Sequence, residues 1–154
     1  PQVLKDVKKG VTREEMIEAG RKLKRCGILC SATLISGLGG RQRLREHAIA
    51  SASLISAIKP DYVGFLTLMI DPQAPVYSKI VSGELELLNP EDVVEEMKLF
   101  LQNVDSEGTV FRSNHASNYV ILKGTLNEDI PSMLAYLRQV EEQGKYREER
   151  WRRF

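Results

Sequence analysis

The sequence predicts an α/β fold in which buried parallel strands alternate with amphipathic helices. Three observations point to it. Ile28 to Ser36 and Tyr62 to Ile70 are mostly apolar runs, the kind shown by strands buried on both faces. Between them, Leu44, Ala48, Ala52, Ile55 and Ile58 recur at helical spacing. The glycine turn Gly37-Leu38-Gly39-Gly40 joins the first run to that helix, which makes a βαβ unit with a right-handed crossover.

The other elements follow in order. Pro1 to Gly10 reads like the end of an earlier element, as in a truncated or proteolysed piece of a longer protein. Thr12-Arg13-Glu14-Glu15 is a capping box, in which the Thr12 hydroxyl and the Glu15 carboxylate satisfy amides at a helix start. Met16, Gly20, Leu23 and Cys26 are expected to form that helix's buried stripe, and Gly27 its stop. Asp71 to Leu88 has no clear period and contains Pro72, Pro75 and Gly83, which suits a lid or a small hairpin excursion. Asn89 caps a third helix with Pro90 in its first turn and Val93, Met97, Phe100 and Val104 facing inward. Thr109 to Phe111 is extended, Tyr119 to Leu122 is apolar, and Lys123-Gly124 reads as a turn. A last helix over about Ile130 to Glu142 buries Met133, Leu137 and Val140. The expected organisation is βα units over 1–108, an extension with a polar loop and helix over 109–142, and a charged tail over 143–154.

Composition narrows the class. The 154 residues are 42% apolar and 28% charged, as in ordinary globular domains. A formal net charge of +1 gives no general argument for a nucleic-acid partner. No apolar run approaches the roughly 18 residues that span a bilayer. No signal peptide is visible either, so a cytoplasmic setting without membrane is expected. Cys26 and Cys30 are too few to hold a metal or cluster and read as reduced residues of no chemical role. Two parallel strands leave an open sheet edge, which calls for a missing neighbour or a dimer that covers it.

Three segments could carry chemistry. The glycine turn lies at a strand's C-terminal end, where ligands of parallel α/β folds sit, and its consecutive amides can form an anion-binding concavity. Arg112-Ser113-Asn114-His115-Ala116-Ser117-Asn118 is a polar cluster between apolar segments. In it, Arg112 and His115 are candidates to touch a substrate, and Asn114 and Asn118 to orient it. The tail Lys145 to Phe154 interleaves basic and aromatic residues, a pattern that can grip RNA. Its glutamates dilute that charge, and a solvated tail, or one that packs Trp151 back onto the domain, is the expectation. His47, among Arg43, Arg45 and Glu46, reads as part of a solvated face.

Ile35-Ser36-Gly37-Leu38-Gly39-Gly40, followed by a helix and a strand ending in Asp71-Pro72-Gln73-Ala74-Pro75-Val76-Tyr77, resembles the later half of the radical S-adenosylmethionine enzyme core. Val7-Lys8-Lys9-Gly10 and Leu88-Asn89-Pro90-Glu91 fit the same order. The resemblance implies the C-terminal half of a partial (β/α) barrel. It implies that Ile35, Gly37, Leu38 and Gly39 bind the adenine of S-adenosylmethionine. The glutamate often found after those glycines is replaced by Gly40 and Arg41. The family's Cys-x3-Cys-x2-Cys motif is absent, so a [4Fe-4S] cluster belongs to the intact protein and no cofactor is expected on this chain alone. The intact protein would be an oxidoreductase or transferase, and this chain by itself inert. Its partners would be the missing N-terminal part and an unidentified substrate. The residues alone also allow a free-standing βα nucleotide- or phosphate-binding module, or an interaction domain for protein or RNA.

Overall fold

A computed structural model describes residues 1–153. The chain opens with α1 (Gln2–Asp6) and α2 (Arg13–Arg25). The capping box forms: Thr12 N donates to Glu15 Oε2 at 2.7 Å, and Thr12 Oγ1 accepts from Glu15 N at 3.2 Å. The buried face of α2 is not the expected stripe. Ile17 and Gly20 are buried, whereas Leu23 is 38% exposed and Cys26 is exposed. Contact with the following helix sets that rotation. A Cβ at Gly20 would stand 2.6 Å from Ile58 Cγ2, so the two helices touch backbone to side chain. Arg21 and Lys24 lie along the contact and donate to the carbonyls of Ala57 and Lys59.

The rest of the chain builds one sheet and its covering helices. In order they are β1 (Ser31–Ser36), α3 (Leu44–Ile58), β2 (Tyr62–Thr67), α4 (Tyr77–Val81), α5 (Pro90–Asn103), β3 (Val110–Arg112), β4 (Lys123–Thr125) and α6 (Ile130–Gln143). The strands lie in the order β1-β2-β3-β4, the first three parallel and β4 antiparallel to β3. The mixed α/β class is thus observed, with an open and mostly parallel sheet among the described residues.

β1 begins later than the apolar run suggests. Asp61 fixes its start, its Oδ2 accepting from Cys30 N at 2.8 Å, and Ile28 and Leu29 are left 53% and 71% exposed. Nor are the strands buried on both faces. Leu34, Val63, Phe65 and Phe111 point to one packed face, while Thr33, Ile35, Gly64 and Leu66 alternate onto a more open one. The packed face meets α3, α5 and α6 in a single cluster running from Leu34 to Val140. It therefore spans both the expected βα units and the expected extension. Phe65, Phe100 and Phe111 form its centre, with ring centroids 5.9–6.0 Å apart.

The inner face of α3 is as expected, with Ala48, Ala52, Ile55 and Ile58 buried. So is that of α5, whose Asn89 and Asp92 form a reciprocal capping box. The connection after β2 holds the short helix α4. Lys123-Gly124 is not a turn but the start of β4, paired to β3. Its glycine serves a close approach, because a Cβ there would stand 2.9 Å from Asp129 Cβ and Met133 Sδ at the start of α6. No helix among the described residues is long and apolar enough to cross a membrane.

Candidate functional site

Because β1, β2 and β3 are parallel, their C-terminal ends share one end of the sheet. The glycine turn, the segment after β2 and the polar loop after β3 all emerge there. Two braces and two cavities organise this end.

The first brace holds the glycine turn. Gly37 and Gly40 have φ of 88° and 63°, in the left-handed region that favours glycine. Gly37 N donates to Glu96 Oε2 at 2.9 Å, Ser36 Oγ donates to the same oxygen, and His47 Nδ1 meets Oε1. Glu96 is 1% exposed and comes from α5, 59 residues downstream of Gly37. Thus His47 is not on a solvated face: its side chain is 14% exposed and turned inward to a carboxylate. The carboxylate sits between hydroxyl and imidazole, so Ser36 Oγ donates to Glu96 and not to His47. Sequence reasoning missed Glu96. The available signal was a charge on the buried side of α5, between Val93 and Phe100, where an apolar residue is the rule.

Beyond the brace, Gly40 N donates to Gly37 O at 2.9 Å and Arg41 N to Glu86 O at 2.9 Å. The amides of Leu38 and Gly39 make no hydrogen bond to the described residues. Both residues line a cleft of about 770 Å³, whose apolar wall includes Leu68, Ile70, Val76 and Leu85. Its charged rim holds the pairs Arg43–Asp6 at 3.0 Å and Lys79–Glu84 at 2.9 Å. Ile35 lies one step inside the strand, half-buried on the open face of the sheet.

The polar loop is arranged differently. Arg112 is exposed, and its Nη1 donates to Phe111 O at 2.8 Å. Asn114 is exposed. His115 is exposed with Nδ1 accepting from Ser117 N at 3.2 Å and 2.9 Å from Ser117 Oγ. Asn118, in contrast, is 1% exposed. Its Oδ1 accepts from Thr67 Oγ1 at 2.9 Å, and its Nδ2 donates to Phe65 O at 2.6 Å and Ser113 O at 2.9 Å. Its amide therefore ties the loop to the end of β2. Arg112, Asn114 and His115 do not line the cleft at Leu38 and Gly39.

The second brace is the C-terminal tail, most of whose side chains are exposed as expected but which docks through arginines and not through its tryptophan. Trp151 is 56% exposed, and Arg152 is the buried residue. Its Nε donates to Ser117 O at 2.6 Å and its Nη2 to Leu68 O at 3.2 Å, while the guanidinium lies 4.0 Å from the Tyr119 ring centre. Arg147 Nη1 donates to three carbonyls, those of His115, Ala116 and Asn118, at 3.2, 3.0 and 3.0 Å. The reason is chemical: the polar loop presents carbonyls that need donors, which arginine supplies and an indole face does not. Burial, then the bond to Glu149, pushes the Tyr119 hydroxyl up to about 12. Burial also raises Glu149, but hydrogen bonds from Arg152 and Tyr119 outweigh it and hold the carboxyl below its ordinary 4.5. Tyr119, Glu149 and Arg152 line a second cavity of about 200 Å³, shared with Ser36, Gly37 and Thr67.

Cys26 is exposed, Cys30 is buried, and both are free thiols. No group of three or more His, Cys, Asp or Glu side chains among the described residues could hold a metal ion. These residues do not fit an iron–sulfur cluster. No protein-family model matches the chain, and no curated protein matches it significantly.

Proposed function

We propose that the chain supplies the later βα units of a partial (β/α) barrel in a radical S-adenosylmethionine enzyme, with Ile35, Gly37, Leu38 and Gly39 forming part of the adenine pocket. The observation that carries this reading is the glycine turn itself. It opens on a cleft of a size that ligands use, and it offers that cleft two unengaged amides beside apolar walls. The sheet geometry supports it. Helices cover one face, while the face bearing Ile35 and Leu66 is open, as the inside of an incomplete barrel would be. Ile35 would lie against the base, and the amides of Leu38 and Gly39 would meet its ring nitrogens or the ribose. Glu96 would hold the turn in place of the missing glutamate at Gly40 and Arg41.

The cluster ligands in this reading come from polypeptide outside the 154 residues. The parent protein should carry three closely spaced cysteines and, purified anaerobically with reductant, should convert S-adenosylmethionine to 5′-deoxyadenosine. Gly37→Val in that protein should weaken S-adenosylmethionine binding at least tenfold with an unchanged circular-dichroism spectrum. A parent without the cysteines, or unaltered binding by the variant, overturns the reading. Arg112, Asn114 and His115 are substrate-facing candidates in it, and unchanged turnover by Arg112→Ala and His115→Ala would remove both.

One observation favours a second reading, a nucleotide- or phosphate-binding module that works without a cluster. The same free amides share the cleft with Lys8, Arg43 and Lys79 against Asp6 and Glu84, a rim with one positive charge in excess that suits an anionic ligand. Isothermal titration of the 154-residue chain separates the two. Micromolar binding of a nucleotide supports the module, whereas the barrel reading expects weak or no binding of S-adenosylmethionine, whose methionyl half would have no anchor here.

A further inference from the structure

We propose that Arg152, Tyr119 and the cavity beside them form a receptor for a small carboxylate, which the tail's own Glu149 occupies. The inference does not depend on the barrel reading.

The donor geometry identifies the ligand class. Three contacts converge on one carboxylate: Arg152 Nη1 to Glu149 Oε1 at 2.7 Å, Nη1 to Oε2 at 2.8 Å, and Tyr119 Oη to Oε2 at 2.7 Å. The hydroxyl keeps its proton at neutral pH, so it remains a donor. Arg152 is fixed independently of Glu149 by Ser117 O, Leu68 O and the Tyr119 ring. Of the two N–H groups on Nη2, Leu68 O takes one, and the other has no acceptor among the described residues.

The two partners of this ion pair are unequal. The Arg152 side chain is 5% exposed, and that of Glu149 is 69% exposed. The receptor is therefore built into the protein, whereas its occupant stands mostly in water. Side chains in a protein interior are ordinarily enclosed by close packing, with few voids larger than a water molecule. This ion pair instead borders about 200 Å³ of open space, walled by Thr67, Leu68, Leu87 and Leu88. A carboxylate entering that space would meet the donors that now hold Glu149. The displaced Glu149 would complete a hydration it largely has already. The apolar leucines favour an acid with a short hydrocarbon body, and the planar fork of Arg152 is not reproduced by lysine.

Trp151 is the single tryptophan, adjacent to Arg152 and 56% exposed, so its fluorescence reports movement of this turn. The protein is titrated with sodium propionate and sodium succinate at constant ionic strength, with sodium chloride as the control. Saturable binding is expected. It should be at least tenfold tighter in Glu149→Gln, which lacks the internal competitor, and at least tenfold weaker in Arg152→Lys. Circular dichroism checks each variant, and Glu149→Ala replaces Glu149→Gln if the latter unfolds. A signal that chloride reproduces, or a Glu149 variant that binds no tighter than the parent chain, overturns the proposal.

Discussion

The glycine turn after β1 and the polar loop after β3 stand at the same end of one sheet, yet they are braced by opposite chemistry. The turn's backbone offers amide donors, and a carboxylate, Glu96, comes to it from α5. The loop's backbone offers carbonyls, and guanidinium groups, Arg147 and Arg152, come to it from the tail. In each place the irregular segment's surplus decides the sign of the residue that holds it. The depths also differ. Glu96 is 1% exposed in the wall of the core and Arg152 is buried as well, whereas Arg147 is half-buried. The turn is thus held from within the core, and the loop by a segment that docks from outside it.

The largest expected effect tests the core brace. Glu96→Ala leaves Ser36, His47 and the Gly37 amide without their shared acceptor, and should cost about 3–5 kcal/mol in thermal or urea unfolding. A loss as small as that of a surface substitution would show that the turn stands without it. Next is Arg152→Ala, expected to cost about 2 kcal/mol, because several buried charge-assisted hydrogen bonds go with it. Arg147→Ala should cost about 1–2 kcal/mol and raise amide exchange at residues 115–119 while leaving Gly37 unchanged. Equal acceleration at both places would mean that the two regions do not move separately. Trp151→Ala is the smallest, within about 0.5 kcal/mol, since the ring lies mostly in water.

pH sharpens the same contrast. Glu149 has a depressed pKa, so its contribution to tail docking is present above pH 4.5 and is lost as pH falls through its lower folded value. Tyr119 has a raised one, so its contribution is full below pH 10 and is lost as pH rises through about 12. Absorbance at the tyrosinate band should show Tyr119 ionising well after an ordinary phenol, and Tyr119→Phe should remove that late step.

Local signals were legible in the sequence, and distant ones were not. The capping box at Thr12, the cap at Asn89 and the stripes of α3 and α5 formed as read, because each is decided within a turn or two of helix. The stripe of α2 shifted because its neighbour, not its own period, chose the buried side at Gly20. Lys123-Gly124 carried a turn signal, but the glycine answers to α6 packing over a strand. For the site, the glycine turn and the polar loop were visible as compositional clusters. Glu96 and Arg152 were not, since the first acts 59 residues from Gly37 and the second 84 residues from Leu68. Asn118 looked like its exposed neighbours in the loop, and only the fold distinguishes a residue that clamps β2 from residues that face solvent.

The reversal of β4 gives the sheet two unlike margins. Along β1, a newcomer running in the same direction as its neighbours extends a ladder of uniform slant, whereas at β4 that newcomer would meet a strand travelling the other way. A strand parallel to the first three would therefore continue their ladder only along β1, and along β4 it would form an antiparallel pair.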